Sequence, residues 1–332
     1  MKPYLIGVDL GGTFIKTALV TLRGDIVHKI KIPSEKEKGP DGVIANIRQS
    51  IYRIMEESGI KMDEAEAIGI GSPGPLNTKK GIVCQAINLP GWINVPLRDR
   101  IQGHFRIPTN LENDANAAAY GEYWRGAGVG SHIMLAYTLG TGVGGGIIIE
   151  GKLIRGTNDS AGELGHMTIV PEGELCNCGN NGCVESYASA TSLVRRTREK
   201  LNKGAESILN QWLIEGKTLT AKLIDEARKE GDQFAGEALR EVGYYLGIGV
   251  SNSVSVLNPD VVVLGGGMMK AGDIILEPVR REVKRRVFPE LLESLKIVTA
   301  RLRNDAGVIG AAGLVLERKG INQTFSSSDV SS

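Results

Sequence analysis

The sequence predicts a two-domain α/β protein built on a duplicated strand-turn-strand scaffold. Its 332 residues exceed what one compact core ordinarily holds, so two domains are the first expectation. Two turns rich in Gly and Thr, at residues 9–13 and 138–142, are offset by 129 positions, and each joins an apolar strand to a β-branched one. Helical and strand-like patterns alternate around them, which is typical of an α/β fold.

The pattern of the first third of the chain predicts three strands, a helix and a fourth strand. A fifth strand that leads directly into a second helix follows. Residues 4–32 have the pattern of three short strands with turns at GGT and RGD. Residues 40–58 carry apolar side chains at helical spacing, and AIGIGSPG predicts a buried strand that ends in a glycine-proline loop. After Pro108, TNLEN predicts a strand that leads into the alanine-rich helix DANAAAYGEYW.

The rest of the chain predicts a second strand-turn-strand unit and then helices. HIMLAYT and VGGGIIIEGKLI flank the turn LGTG. Residues 186–256 are mostly helical in pattern, and VVVLGGG predicts a buried strand that ends in three glycines. Residues 320–332 have little apolar surface to bury and are predicted to form a disordered tail.

Composition and charge exclude several classes of protein. Hydrophobic residues make up 42% and charged residues 23%, which is ordinary globular composition, and the formal net charge of +1 gives no overall field for nucleic acid or an anionic membrane. No apolar stretch approaches the roughly 20 residues of a membrane span, and the amino terminus has no cleavable signal pattern, so we expect a cytoplasmic protein. One basic run has the spacing of a solvated helix face: Arg280, Arg281, Lys284, Arg285 and Arg286.

The two glycine turns are candidate polyphosphate sites. Backbone N–H groups in such turns point inward, and no Cβ blocks the approach of a phosphate. A Walker A loop is absent, and the strand-like FIKTALV after the first turn excludes a dinucleotide fingerprint. A plain hairpin is the alternative for either turn. Asp9 favours function at the first turn, because a carboxylate there can hold Mg²⁺ through water.

The segment LENDANAAA contains a candidate general base. Asp114 falls where a strand gives way to a helix, and the positive end of the helix dipole favours its ionised form. Such a carboxylate can accept the proton of a sugar hydroxyl that attacks phosphorus. Taken alone, the segment is better explained by Asn113 or Asp114 acting only as the helix cap.

A cysteine cluster predicts a structural zinc site. His166 precedes Cys176, Cys178 and Cys183, and three thiolates with one imidazole complete a tetrahedral shell with no position open to water. Free thiols without metal are the alternative, and Cys84 is interpreted as an ordinary buried thiol. Glu163 and Glu185 flank the cluster, and together with the second nitrogen of His166 they suit vicinal sugar hydroxyls. Zinc would then order the sugar-binding loop.

Together these motifs resemble the ROK family (repressors, open reading frames and sugar kinases), and within it the bacterial glucokinases. The resemblance runs from Ile6 to about Gly313. EGELCNCGNNGCVES looks like the family's CxCGxxGCxE zinc signature, ELGH like its ExGH sugar motif, and LENDANAAA like its catalytic segment. It implies the actin-like ATPase (ribonuclease H-like) fold, with two α/β lobes and a nucleotide and sugar cleft. It also implies ATP with Mg²⁺ as cofactor, a structural Zn²⁺, and a dimer or tetramer.

The resemblance assigns roles residue by residue. Asp114 matches the catalytic base that takes the 6-hydroxyl proton of glucose. The sugar contacts are Asn113, Asp114, Glu163, His166 and Glu185, with Gly74 and Asn88 in loops that reach the sugar. The nucleotide residues are Asp9, Gly11, Gly12, Thr13, Lys16, Thr138, Gly140, Thr141, Gly142, Gly265, Gly266 and Gly267. The zinc ligands are His166, Cys176, Cys178 and Cys183. The implied small lobe is 1–118 with about 304–319, and the large lobe with the zinc knuckle is 119–303.

Other functions remain open at this point. The same family includes sugar-sensing repressors, but these carry a helix-turn-helix region before the sugar domain, and here the first strand begins at about Tyr4. The neutral charge also argues against DNA. Within the kinases, N-acetylmannosamine, N-acetylglucosamine, mannose, allose and fructose are alternative substrates. The stretches SYASATS, GSPGPLN and NLPGW favour glucose.

Overall fold

The computed structural model describes residues 1–320. The predicted disordered tail therefore lies outside the described residues, apart from Gly320. Within the described residues, no helix is both long and apolar enough to cross a membrane.

The chain forms two compact units. The first comprises Met1–Met134, Gly146–Gly162 and the described residues from Ala300 onward, and the second comprises Leu135–Gly145 and Glu163–Thr299. These bounds differ from the predicted lobes, because the predicted limit at residue 118 falls inside a continuous helix.

Thirteen strands and ten α-helices occur among the described residues. The strands are β1 (Tyr4–Leu10), β2 (Phe14–Thr21), β3 (Ile26–Pro33), β4 (Ala65–Ser72), β5 (Leu76–Asn77), β6 (Ile82–Gln85), β7 (Ile93–Val95), β8 (Thr109–Asn113), β9 (Ile133–Leu139), β10 (Val143–Ile149), β11 (Lys152–Leu153), β12 (Val261–Gly265) and β13 (Lys296–Thr299). The α-helices are α1 (Gly39–Ser58), α2 (Leu97–Phe105), α3 (Asp114–Arg125), α4 (Glu185–Ala188), α5 (Ala190–Asn202), α6 (Ile208–Ile214), α7 (Ala221–Lys229), α8 (Gln233–Leu257), α9 (Asp273–Arg286) and α10 (Ala306–Arg318). Short 3₁₀ turns include Leu164–His166 and Gly267–Ala271.

Two five-stranded sheets share one topology. The first has the order β3-β2-β1-β4-β8 and the second has the order β11-β10-β9-β12-β13, so each places its strands in the same succession. This confirms the duplicated scaffold that the two glycine turns predicted. Strands β5, β6 and β7 form a separate three-stranded sheet.

The core of the first unit follows from the apolar patterns of its elements. Strands β1 and β4 are almost entirely buried, and α1 presents Val43, Ile47 and Ile51 to the sheet at the predicted helical spacing. Helix α1 ends at Gly59, whose left-handed backbone (φ 70°) forms the C-cap.

Close packing of α3 on α10 explains why the unit boundary lies beyond residue 118. A Cβ added at Gly310 would lie 1.6 Å from the carbonyl oxygen of Ala117, and one added at Gly121 would lie 2.2 Å from that of Ala306. The two helix backbones therefore approach to a distance that only glycine permits. Both halves of α3 pack on α10, so the whole helix belongs to the first unit.

Candidate functional site

The predicted base and the first phosphate turn lie at one edge of the first sheet. Asp9 on β1 pairs in register with Gly71 on β4, and the next residue of β4, Ser72, pairs with Asn113 at the end of β8. These three strands are parallel, so their carboxyl ends meet at the same edge. Ligands of open α/β sheets bind outside this edge.

Asn113 is the residue that caps α3. Its side-chain oxygen accepts hydrogen bonds from the backbone N–H groups of Ala115 at 2.9 Å and Asn116 at 3.2 Å. Asp114 is the first residue of the helix, and its Oδ1 accepts the N–H of Ala115 at 2.8 Å. Asn113 is therefore the capping residue, and the carboxylate of Asp114 shares the N–H of Ala115 with it. The amide NH₂ of Asn113 is the part of that side chain suited to a sugar hydroxyl.

The two loop residues predicted to meet the sugar lie beside these features. A Cβ added at Gly74 would lie 3.6 Å from Nδ2 of Asn113, so the loop after β4 runs past the amide of the cap. A Cβ added at Gly12 would lie 3.3 Å from Cβ of Asn88, which places Asn88 against the first glycine turn. Gly74 therefore borders the cap residue Asn113, and Asn88 borders the first glycine turn.

The first glycine turn carries an ion pair. Nζ of Lys16 lies 2.8 Å from Oδ2 of Asp9 and also donates to the carbonyl of Asn304 at 3.3 Å. The turn closes through a hydrogen bond from the N–H of Gly11 to the carbonyl of Phe14 at 3.0 Å. A Mg²⁺ ion bound near Asp9 and a phosphate bound near Lys16 would each find an opposite charge here.

The carbonyls of Gly12 and Thr13 in this turn are held from the end of β3. Ser34 donates its backbone N–H to the carbonyl of Thr13 at 2.9 Å and its hydroxyl to the carbonyl of Gly12 at 3.0 Å. With both carbonyls bonded to one residue, the turn has a fixed shape.

The second turn and the triple glycine meet in the second unit. Gly266 has φ 91°, and a Cβ added there would lie 2.2 Å from the carbonyl oxygen of Leu139. Gly265 and Gly267 adjoin it in sequence, so LGGG lies directly against LGTG. The carbonyl of Thr141 accepts the hydroxyl of Thr191 at 2.7 Å, which ties the turn to the start of α5. The two groups of residues in the second unit that are predicted to bind nucleotide are thus neighbours: Thr138, Gly140, Thr141 and Gly142 in one, and Gly265, Gly266 and Gly267 in the other.

Glu185 joins the second turn to the predicted sugar contacts. Its Oε2 accepts the backbone N–H of Val143 at 2.8 Å, and a Cβ added at Gly142 would lie 2.3 Å from the same oxygen. Its Oε1 lies 3.7 Å from Sγ of Cys176. The carboxylate is therefore held between the glycine turn and the cysteine cluster.

The four predicted zinc ligands converge. The ligand atoms of His166, Cys176, Cys178 and Cys183 all lie within 4.8 Å of one another. A tetrahedral zinc with Zn–S of about 2.3 Å and Zn–N of about 2.05 Å places two sulfurs roughly 3.8 Å apart and sulfur and nitrogen roughly 3.6 Å apart. The Cys178 and Cys183 sulfurs are 3.7 Å apart, and the Cys176 sulfur lies 3.6 Å from Nδ1 of His166. These distances and donor types fit zinc.

Backbone hydrogen bonds shape the loop around the cluster. The N–H of Cys176 donates to the carbonyl of Asn180 at 2.8 Å, and the N–H of Gly179 donates back to the carbonyl of Cys176 at 2.9 Å. Gly182 has φ 75°, and a Cβ there would lie 1.7 Å from the carbonyl oxygen of Val170. The loop needs glycine at this point, as the knuckle pattern predicted.

The imidazole of His166 has different neighbours on its two nitrogens. Nδ1 faces the cluster, and Nε2 lies 3.9 Å from Oε2 of Glu163. Nδ1 is thus the nitrogen for zinc, while Nε2 lies on the side of Glu163, one of the two carboxylates predicted to bind sugar. Glu163, His166 and Glu185 are all adjacent to the cluster, as predicted.

The three thiols differ in acidity. Burial raises the pKa of Cys176, and burial raises the pKa of Cys183 to about 12. A hydrogen bond from the backbone of Asn180 lowers the pKa of the exposed Cys178. Zinc binds these sulfurs as thiolates, so binding releases protons, most of all from the two buried thiols. Cys84 lies outside the cluster and is partly exposed, so its interpretation as a buried thiol was wrong.

The ROK family model matches residues 5–318, which is nearly the whole described chain. The chain belongs to the ROK family.

Its relatives within the ROK family include kinases and repressors. The glucokinase of Halalkalibacterium halodurans is 39% identical, and the match covers 95% of this chain and 96% of that protein. A ROK family glucokinase from Streptomyces griseus, solved in complex with glucose and AMPPNP, is 36% identical with a TM-score of 0.80, over 94% of this chain and 98% of that one. The xylose repressor of Caldicellulosiruptor bescii is 34% identical, over 94% of this chain and 78% of that protein.

The structural similarity confirms the predicted fold class. ROK sugar kinases have the actin-like ATPase fold, and the two sheets of equal topology in this chain are its duplicated scaffold.

Sequence reasoning missed two charged contacts in the first unit, one of which is made by the residue before Asn113. Glu112 is buried and accepts Nε of Arg155 at 2.7 Å, and Asp159 accepts both the N–H and the hydroxyl of Thr78. Glu112 and Arg155 are 43 positions apart, so no local spacing links them. The strand TNLEN has one apolar residue, Leu111, so its pattern gave no signal that Glu112 is buried and needs a buried partner.

Proposed function

We propose that this chain is an ATP-dependent hexose kinase that phosphorylates glucose at the 6-hydroxyl. The observation that carries the proposal is the carboxylate of Asp114 at the first residue of α3, with Asn113 as the cap and Asp9 at the same sheet edge. The similarity to glucokinases over nearly the full length of both chains supports the same activity.

Asp114 is the general base in this proposal. Its carboxylate takes the proton of the sugar 6-hydroxyl as that oxygen attacks the γ-phosphorus of ATP. The new bond joins O6 to phosphorus, the bond from phosphorus to the β–γ bridging oxygen breaks, and ADP leaves with that oxygen's charge. The helix amino terminus interacts favourably with the negative charge of Asp114, the form that accepts the proton.

The glycine turns and the polar residues around them are assigned to the two substrates. Backbone N–H groups of the turns and Nζ of Lys16 bind phosphate oxygens. Mg²⁺, when bound near Asp9, neutralises charge on the phosphates. The sugar hydroxyls are bound by Asn113, Glu163, His166 and Glu185, with Gly74 and Asn88 in the adjoining loops.

Zinc has a structural role in this scheme. His166 and the three clustered cysteines use all four tetrahedral positions, so no site remains for water or substrate on the metal. The metal instead fixes the loop on which Glu163, His166 and Glu185 are arranged.

A coupled assay with ATP and Mg²⁺ against hexoses and N-acetylhexosamines tests the function. We expect glucose to give a kcat/KM at least about tenfold above the other sugars, because a site built for one set of hydroxyls rejects its variants. Asp114→Asn should abolish turnover while glucose binding, measured by calorimetry, persists. Turnover of the Asn variant within about tenfold of the parent would remove Asp114 from the base role.

A sugar-sensing repressor is the second candidate, since the xylose repressor is also similar over 94% of this chain. The kinase assay together with a DNA gel shift discriminates the two candidates. Zinc-replete, folded protein that binds a sugar without phosphorylating it, and that shifts operator DNA in a gel, would favour the repressor over the kinase.

The remaining expectations concern location and assembly. A cytoplasmic enzyme with small-molecule sugar and ATP as its partners, present as a dimer or tetramer, fits the proposed reaction. Light scattering on purified protein measures the mass of the assembly directly, and cell fractionation measures the location.

A further inference from the structure

A buried charge cluster surrounds the strand that leads into the catalytic turn. Nε of Arg155 donates to Oε2 of Glu112 at 2.7 Å, and its two terminal nitrogens donate to the carboxylate of Glu317 on α10 at 3.2 and 3.0 Å. Arg318 adds a longer bond to Glu112 at 3.5 Å. The side chains of Glu112 and Glu317 are 5% and 8% exposed. Both carboxylates are therefore neutralised within the protein rather than by solvent.

Glu112 connects this cluster to the two residues beside the base. Its second oxygen, Oε1, accepts the backbone N–H of Asn113 at 3.0 Å and Nδ2 of Asn116 at 3.2 Å. One carboxylate thus holds the end of β8 and the first turn of α3. In the sequence, Asp114 lies between Asn113 and Asn116, the two residues that Glu112 binds.

Arg155 sets the orientation of that carboxylate. The guanidinium is planar and rigid, and its two terminal nitrogens are already bonded to Glu317. The direction of the Nε–H bond toward Glu112 is therefore fixed. Burial opposes the charge of Arg155, but the hydrogen bonds and charges of Glu317 and Glu112 outweigh this and raise its pKa above the ordinary value. Arg155 is therefore a permanent cation at this position.

The segment that carries Arg155 is anchored at a second point. Four residues later, Asp159 accepts the backbone N–H of Thr78 at 2.9 Å and its hydroxyl at 3.0 Å. Asp159 also has φ 57°, a left-handed backbone. The position of Arg155 thus does not depend on its own ion pairs alone.

We propose that Arg155 is a positioning residue for the kinase reaction, acting through Glu112 to hold Asn113 and Asp114 in the geometry that proton transfer requires. The inference rests on the proposed function and adds to it a residue remote from the substrates. A base misplaced by less than an ångström loses much of its rate, whereas sugar affinity, which is shared among several contacts, changes little.

Kinetics of Arg155→Met test the inference. We expect kcat to fall roughly 10- to 100-fold while KM for glucose changes less than about threefold. Arg155→Lys keeps the charge but loses the fork, so its kcat should lie between those of the parent and the Met variant. Arg228→Met is the matched control, because it also removes an ion pair between an arginine and a carboxylate. Arg228 on α7 lies 2.5 Å from Asp225. The kcat of this variant should stay within about twofold of the parent.

A double variant separates positioning from charge balance. Glu112→Gln added to Arg155→Met removes one of the two buried carboxylates that Arg155 neutralised, so Tm should recover in part, while Glu317 stays unpaired. The side chain at 112 still lacks its orienting partner, so kcat should stay low. Full recovery of kcat in the double variant, or parental kcat in folded Arg155→Met, would overturn the proposal. A parent protein that phosphorylates no sugar would instead contradict the proposed function, which keeps the two failures distinct.

Discussion

Oε2 of Glu185 occupies the space where a side chain at Gly142 would begin. The backbone of Gly142 does not have a positive φ, so the absence of a Cβ here leaves room for the carboxylate rather than permitting an unusual turn. The glycine that resembles part of a phosphate motif therefore also serves a predicted sugar contact.

Gly142→Ala should consequently impair sugar binding. The added methyl would lie 2.3 Å from Oε2 of Glu185, so the carboxylate must move and lose the N–H of Val143. We expect KM for glucose to rise roughly tenfold, since one charge-assisted hydrogen bond and one sugar contact are disturbed. Steady-state kinetics with each substrate varied in turn measure this.

Gly140→Ala is the control for this prediction. No atom lies within 4 Å of a Cβ added at Gly140, and Glu185 is not displaced. If Gly142→Ala raised KM for ATP and left KM for glucose unchanged, Gly142 would contribute to nucleotide binding alone.

The two functions of Asn113 are separable by substitution. Serine caps helices as well as asparagine, but it lacks the amide NH₂. Asn113→Ser should therefore keep Tm near the parental value while KM for glucose rises at least about tenfold. Asn113→Ala should lose a similar degree of sugar affinity and also about 1 kcal/mol of folding free energy. Thermal unfolding and kinetics on both variants check this, and a Ser variant with parental KM would contradict the sugar contact.

Local pattern predicted the features whose residues are close in sequence. The zinc ligands Cys176, Cys178 and Cys183 fall within eight positions, and the strand-to-helix junction at Asn113 and Asp114 is continuous. The glycine turns were predictable for the same reason, because each lies between two strands with strong apolar patterns. In the described structure the four predicted zinc ligands converge, with their ligand atoms within 4.8 Å of one another.

The features that could not be predicted depend on distant pairings. The unit boundary follows from glycines of α3 packed on α10, with Ala117 and Gly310 separated by most of the chain. The bond between Glu112 and Arg155 spans 43 positions, and the contact of Gly142 with Glu185 is equally non-local. A residue's spacing from its sequence neighbours carries no information on such contacts, which depend on how the sheets and helices pack.

The basic run on α9 contains a carboxylate that makes stability depend on pH. Glu282 is buried and bonds Arg285 at 2.6 Å and Arg286 at 3.1 Å, so the run is not simply a solvated face. Burial alone would raise the pKa of Glu282, but the hydrogen bonds from the two arginines outweigh it and lower the pKa. A lowered folded-state pKa stabilises the protein above the unfolded value of about 4.3, and this stabilisation is lost as the pH falls through the folded value.

Glu282→Gln should therefore reduce the free energy of unfolding at pH 7 by about 1 to 3 kcal/mol, and the difference from the parent should shrink below about pH 4. Denaturant titrations at several pH values measure it. Glu277→Gln is the control on the same helix, because Glu277 pairs with Arg280 at 2.7 Å but is 61% exposed, so its effect should be small at every pH. A Glu282 variant whose deficit persists unchanged at pH 3 would assign the loss to packing rather than charge.

Loss of zinc should weaken sugar binding without removing the catalytic turn. Cys178→Ser is the variant of choice, because Cys178 is the exposed ligand and its replacement leaves the packing around the buried Cys176 and Cys183 intact. We expect zinc content, measured by mass spectrometry, to fall well below one per chain. KM for glucose should rise roughly 10- to 100-fold, because the loop that holds Glu163, His166 and Glu185 is no longer fixed by the metal. Cys84→Ser, at the one cysteine outside the cluster, should keep its zinc and its KM. A folded Cys178→Ser protein that lacks zinc yet binds glucose as tightly as the parent would separate the metal from the sugar site, and the cluster would then stabilise only the knuckle itself.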